Sequence, residues 1–318
     1  MSTTHKFNLV DHQQLVGRVE ELKHRHEDIK SKVGFVLKQL WDCERELRVI
    51  QDLSPFDSLK IRFPNFIEVI EYYEVHATAL KNLNLPFETN PILLLGDPGL
   101  GKTFFVAELA KSLQLPLFEI CMNITTASFA ISGGSLQWGD GAVGFIAKSI
   151  AACPIGNPIF MIDEVDKSNN GNGYNPINPL YNLLETHSAS KFKDEALELE
   201  LDVSKVIWIL TANQINNIPE PIISRMKVFQ INRPGLNDMP NIVESIYSKI
   251  RKDKSFGNIL SSSIDSSVIN SLIGLSPREI KMTLENAVMS AVIHRRTNII
   301  NSDLDTMNRR KYHAIGFY

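Results

Sequence analysis

The stretch Gly96-Asp97-Pro98-Gly99-Leu100-Gly101-Lys102-Thr103 restricts the folds open to this chain more than any other segment. It fills the pattern GxxxxGK[ST] between a short apolar run, Ile92–Leu95, and a stretch of helical periodicity, Lys102–Leu113. A strand that feeds a glycine loop and then a helix belongs to an α/β fold built on a parallel sheet. The glycines allow successive backbone N–H groups to turn inward, and the helix N-terminus adds its positive end, so the loop can cradle a polyphosphate. Lys102 has the reach and charge for the β- and γ-phosphates, and the Thr103 hydroxyl suits a Mg²⁺ ion. Residues Gly96 to Thr103 are therefore the expected binding set for ATP and Mg²⁺.

Such a loop requires a carboxylate delivered by a neighbouring strand. Ile159-Phe160-Met161-Ile162-Asp163-Glu164 has that form. Four apolar residues suit a buried strand, Asp163 at its end can share the metal with Thr103, and Glu164 can polarise an attacking water as general base. Asp166, beside Lys167, reads as a salt-bridged surface acid. Further apolar runs at Leu117–Ile120, Val206–Thr211 and Val228–Ile231 alternate with helical patterns at Ala142–Ala151 and Leu180–His187. Strands apolar on both faces imply a sheet covered on both sides. Leu197, Leu199, Leu201 and Val203 instead alternate with Glu198, Glu200 and Asp202, the period-two pattern of a hairpin arm.

The flanks differ in kind. Over residues 13–53 the apolar positions Leu15, Val19, Leu22, Ile29, Val33, Val36, Leu40, Leu47 and Ile50 step by fours and threes, with His26 and Cys43 in the same stripe. That is the heptad spacing of a coiled-coil helix. It fits either pairing between chains or one amphipathic helix on its own domain, with Gly34 a weak point. Residues 54–234 hold the α/β pattern. From 235 to 318 only helical patterns remain, at Asp238–Arg251, Ile264–Ile273, Pro277–Thr297 and Ser302–Arg310, which predict a small all-helical lid domain. Ser276, Pro277 and Glu279 have the spacing of a capping box. The three cysteines are scattered; they point to a reducing, cytoplasmic setting without disulfides or structural zinc. No apolar run approaches the ~20 residues that cross a bilayer, so no membrane partner is expected.

The paired loop and Asp-Glu strand resemble those of the AAA+ ATPases, and further positions extend the likeness. Asn213, after Val206–Ala212, is similar to the family's sensor-1 residue, which helps hold the water. Arg225, in Pro219–Met226, stands where the family places an arginine finger, which acts on the nucleotide of a neighbouring subunit. Ser276-Pro277-Arg278 resembles the sensor-2 motif, with Arg278 turned toward the nucleotide. Within the family the sequence is most similar to the ATPase module of Lon proteases, through Asp163–Lys167, Asn178–Glu185, Leu201–Val206, Thr211–Asn213 and Ile218–Met226. The Ser–Lys peptidase domain of those enzymes has no counterpart before Tyr318, so no protease activity is expected of this chain alone.

The resemblance implies a ring, expected to be a hexameric homo-oligomer, that threads or remodels a protein substrate. The glycine-rich segment Ser132–Gly141 corresponds to the first pore loop, where Trp138 is the candidate grip, favoured over a Trp that caps a core because so many glycines would poorly support a rigid core site. Tyr174 is the candidate contact of a second loop. Two other readings stand beside this one. A nucleic-acid motor or loader would need basic pore residues, and Ser132–Gly141 has none; the net charge of -3 also disfavours nucleic acid. A regulatory ATPase would dock on a separately encoded effector or peptidase through the heptad segment or the tail Gly316-Phe317-Tyr318.

Overall fold

The structure, a computed structural model, describes residues 5–125, 127–137, 141–168 and 175–304. The chain divides into two compact units: Met1–Phe56 with Glu68–Gly96 and Thr103–Gln230, and Asp57–Ile67 with Asp97–Lys102 and Ile231–Tyr318.

In the first unit, strands β1 (His5–Asn8) and β2 (Glu44–Leu47) pair antiparallel. There follow β3 (Ile92–Leu95), β4 (Leu117–Cys121), β5 (Ile159–Asp163), β6 (Phe192–Asp194), β7 (Leu199–Leu201), β8 (Ile207–Ala212) and β9 (Lys227–Gln230). Five of these form a sheet in the order β4-β5-β8-β3-β9, with every neighbouring pair parallel. The expected α/β class holds, and burial on both faces holds for the inner strands, where Ile159 to Ile162 and all of β8 are buried, whereas the edge strands β4 and β9 are partly covered or exposed. In register, Cys121 lies beside Asp163, and Leu94 and Leu95 beside Thr211 and Ala212. The C-terminal ends of β3, β4, β5 and β8 therefore line up on one edge, the edge where open α/β sheets bind ligands.

The N-terminal segment differs from the single heptad helix that its spacing predicts. Helix His12–Lys23 stops, Lys23-His24-Arg25-His26 turns the chain, and a second helix runs Glu27–Gln39 before the strand β2. Leu15, Leu22, Val33, Val36, Leu37 and Leu40 all enter the same apolar cluster as Phe160, Ile162 and Leu210. The stripe is real, but its partner is the chain's own α/β core. Folding back at this turn buries apolar surface from both helices against that core.

The alternating arm forms the antiparallel hairpin β6–β7. Leu197, Leu199, Leu201 and Val203 are buried, and Glu198 and Glu200 are exposed. The expected helix Leu180–His187 is instead two short turns, Leu180–Leu183 and Thr186–Ala189, separated by an extended Glu185.

The second unit is helical over its C-terminal part: Met239–Asp253, Ser266–Leu272, Pro277–Ile293 and Asn301–Leu304. Its own core gathers Val243, Tyr247, Val268, Leu284, Ala287 and Val288. Helix Pro277–Ile293 carries the anticipated capping box, with Ser276 N–H donating to Glu279 Oε2 at 2.8 Å. It ends at Ile293 rather than Thr297, where His294 caps it and Arg295 takes a left-handed φ of 54°. Among the described residues no helix is long and apolar enough to cross a membrane.

Candidate active site

The glycine loop has the backbone its sequence demands. Gly99 and Gly101 sit at φ of 85° and 90°, a region costly for any residue with a Cβ. Lys102 is buried, and its Nζ donates to the carbonyl of Asp97 at 3.0 Å. This curls the side chain back over the loop that would hold the phosphates. Asp97 is exposed and faces Arg233 at 3.8 Å. The backbone N–H of Arg278 donates to the Gly99 carbonyl at 3.3 Å. A Cβ built on Gly99 would lie 3.5 Å from both Ser276 Oγ and Arg278 Cβ. The structure thus brings the first turn of helix Pro277–Ile293 against the loop, as the motif order implies.

At the sheet edge the Asp-Glu pair is held by hydroxyls. Thr103 Oγ1 donates to Asp163 Oδ2 at 3.0 Å, and Thr211 Oγ1 donates to Asp163 Oδ1. The same Thr211 oxygen accepts the backbone N–H of Glu164 at 3.0 Å. Glu164 leaves β5 in the left-handed region, φ 54°, which rotates its side chain away from the line of the strand. Its carboxylate accepts from the Cys121 thiol at 3.8 Å, and burial pushes that thiol's pKa up. Glu119, on β4, is also raised, chiefly by burial and secondarily by the charge of Asp163. Gly96 N–H donates to Ala212 O at 3.2 Å, so the start of the loop and the end of β8 are joined directly. Asn213 follows β8, half-buried.

Asp166 departs from the expected surface acid. It is buried, with its neighbour Lys167 at 3.9 Å, and accepts the Gln214 N–H at 3.2 Å. The short turn Val165–Lys167 carries it under the site rather than out to water.

Arg225 is not drawn into the Asp163 network. It follows the turn Glu220–Ile223, donates to the Pro221 carbonyl and lies 3.8 Å from Glu185. Its Nε is buried with no hydrogen-bond partner among the described residues. Trp138 and Tyr174 lie outside the described residues. The stem of the Trp138 loop is described: Gly134 N–H donates to Ala142 O at 2.9 Å, and Gly144 N–H to the buried carboxylate of Asp194 at 2.8 Å. Asp194 also accepts the N–H groups of Ala196 and Leu197, and burial raises its pKa.

Two of these residues escaped the sequence reading. Thr211 stands in an apolar strand where Thr passes for an ordinary β-branched residue; the signal was its being polar between Leu210 and Ala212. Asp194 was hidden in the polar run before the arm, and no sequence signal marked it.

Among the described residues there is no group of three or more His, Cys, Asp or Glu able to hold a metal. A hydroxyl and a carboxylate within 3.0 Å of each other form a hard oxygen pair that fits Mg²⁺, which usually takes one or two protein oxygens, with phosphate and water completing its shell.

The model of the ATPase family associated with various cellular activities (AAA) matches residues 92–233. Those residues, under half of the chain, are similar to an AAA domain. A Lon protease of Mycoplasmopsis agalactiae is 26% identical over 231 residues, 72% of this chain and 23% of the relative. Lon protease 1 of Borreliella burgdorferi is 33% identical over 141 residues, 44% of this chain and 18% of the relative. The chain thus spans about a fifth to a quarter of the length of these relatives. A solved structure of a Thermotoga maritima RuvB mutant superposes with a TM-score of 0.50 at 13% identity, covering 74% of this chain and 67% of that one. At that identity the likeness speaks for the fold alone. The AAA match extends from the first residue of β3 to just past β9, so it takes in the loop, the Asp-Glu strand, Asn213 and Arg225.

Proposed function

We propose that this chain is an AAA ATPase that assembles into a ring, hexameric by its resemblance, and couples ATP hydrolysis to remodelling or threading of polypeptide. The observation that carries the catalytic part is the chain of contacts Thr103–Asp163–Thr211–Glu164, which follows a glycine loop of the required conformation. In this reading the loop N–H groups and Lys102 hold the β- and γ-phosphates. Thr103 and Asp163 would hold Mg²⁺, which when bound screens the phosphate charge. Glu164 orients and polarises the attacking water, and Asn213 helps to fix it. Arg278 approaches the nucleotide from its own chain. Arg225 serves the site of an adjacent subunit; its loose pairing with Glu185 and its unpartnered Nε support a role away from its own loop.

The remodelling part rests on the loop Ser132–Gly141. Its stem is closed by backbone hydrogen bonds and tied to Asp194, an anchored base from which Trp138 could act on an extended chain. A protein client is also the partner that the likeness to Lon proteases favours.

One experiment separates the levels of this proposal. The Glu164→Gln protein, imaged with ATP and an unfolded casein probe, should form closed rings with nucleotide retained and turnover reduced by at least ~10²-fold. Trp138→Ala should keep ATPase activity and lose casein-stimulated work. Rings stimulated by single-stranded DNA in a salt-dependent way, and indifferent to casein, would replace the protein-client reading with the nucleic-acid one.

A further inference from the structure

The catalytic reading leaves one buried side chain at the sheet edge without a role. Thr211 is 1% exposed and lies on β8, between the strand that carries Asp163 and the strand that feeds the glycine loop. Its hydroxyl uses both of its capacities on the Asp-Glu pair: it donates its proton to Asp163 Oδ1 and accepts the N–H of Glu164. A left-handed non-glycine residue costs roughly 1–2 kcal/mol. At Glu164 that cost falls on the residue expected to polarise water, and its N–H is one the strand ladder no longer satisfies. The Thr211 oxygen supplies the missing acceptor and so fixes the plane of the Asp163–Glu164 peptide, from which Glu164 departs at φ 54°.

We propose that Thr211 is a positioning residue for ATP hydrolysis: its single hydroxyl sets the orientation of Asp163 and holds the Asp163–Glu164 peptide plane from which Glu164 is aimed. The physical basis is that neither carboxylate is fully held by its other contacts. Asp163 Oδ2 accepts from Thr103, and the second bond, to Oδ1, removes the rotation that the first leaves open. The Glu164 side chain has just the weak thiol of Cys121 as its partner among the described residues, so its aim depends on the backbone. Without the hydroxyl, the Asp163–Glu164 peptide is free to tilt, and the Glu164 carboxylate swings with it. Thr→Val preserves the branched shape that packs within β8 and removes only the oxygen.

This inference rests on the ATPase reading, and the test keeps the two apart. ATP turnover, binding of a fluorescent ATP analogue with a Mg²⁺ titration, and melting temperature are measured for wild type, Glu164→Gln, Thr211→Val and Thr211→Ser. Thr211→Val should lower kcat by ~10- to 100-fold, the usual range for a partner that orients a ligating or reacting group. KM should change far less, because the glycine loop is intact. Thr211→Ser, which restores the oxygen, should recover most of kcat. The Mg²⁺ concentration for half-maximal analogue binding should rise about tenfold in Thr211→Val alone. A Val variant with wild-type kcat and wild-type Mg²⁺ dependence overturns the proposal. So does a Ser variant as impaired as Val, since packing rather than the hydroxyl would then be at fault. If wild type and Glu164→Gln turn over alike, the ATPase reading fails on its own, and the Mg²⁺ titration still decides whether Thr211 positions Asp163.

Discussion

Gly101 and Glu164 occupy the same unusual backbone region for different reasons. At Gly101, φ is 90° and nothing lies within 4 Å of a built Cβ, so the whole cost of Gly101→Ala is conformational. A loss of roughly 1–2 kcal/mol is expected, together with weaker ATP binding, because the N–H groups of the loop would shift with the backbone. Gly17 is the control. It too has open space around it, but it lies within helix His12–Lys23. Gly17→Ala should stabilise by up to ~1 kcal/mol, and ATP titration should find its affinity unchanged. Two glycines equally free of clashes then give opposite signs. The sequence marked Gly101, Lys102, Thr103 and Asp163 because their chemistry is restrictive at those spacings. It did not mark Thr211, because a buried Thr looks ordinary until the carboxylate and the N–H it serves are known.

Among the elements, the end of the helical unit is held by one carboxylate. Arg296 grips Asp303 with two bonds of 2.7 and 2.8 Å, Ser290 donates to it at 2.7 Å, and the N–H of Ile300 at 3.0 Å. Together they tie helix Pro277–Ile293 to the turn Asn301–Leu304. The Arg296 guanidinium is the main cause of an Asp303 pKa lowered from 3.8 to about 2. A carboxylate with a depressed folded pKa contributes stability that is present above its unfolded value. That contribution is lost as pH falls from about 3.8 toward about 2. Hydrogen exchange over residues 277–304 should therefore speed up in that window, with a loss on the order of 1 kcal/mol. Asp303→Asn should exchange faster at neutral pH and show a flatter response to acid. The capping box at the other end of the same helix was legible from Ser276, Pro277 and Glu279, since it is local. The Asp303 clamp was not, because its partners come from three separate turns of chain. The break at His24–His26 was missed for a related reason: heptad spacing records that a face is apolar and leaves open what covers it.

At the scale of the whole molecule, the central question is whether sites are completed by neighbours. Arg225→Ala alone should retain nucleotide and lose turnover, and so should Glu164→Gln. Co-assembled, the two inactive chains can form interfaces in which one subunit supplies Glu164 and the next Arg225. Partial recovery of ATP hydrolysis on mixing, read by phosphate release, is the expected result. No recovery from rings that mass spectrometry shows to be mixed would place Arg225 in its own subunit's site. The test is independent of client or pore, and so separates assembly from remodelling.

The sequence by itself determined the α/β class, the glycine loop, the Asp-Glu strand end and the capped helix. Each depends on residue types that only one local geometry tolerates: glycine at positive φ, an acid after a buried apolar run, Ser and Glu three apart. Tertiary structure alone decided that the heptad stripe folds back into the core and that Asp166 is buried. It also decided that Thr211 stands between Asp163 and Glu164. These depend on which surfaces meet across long stretches of chain. A periodic or polar residue encodes the need for a partner, and packing selects which partner it is.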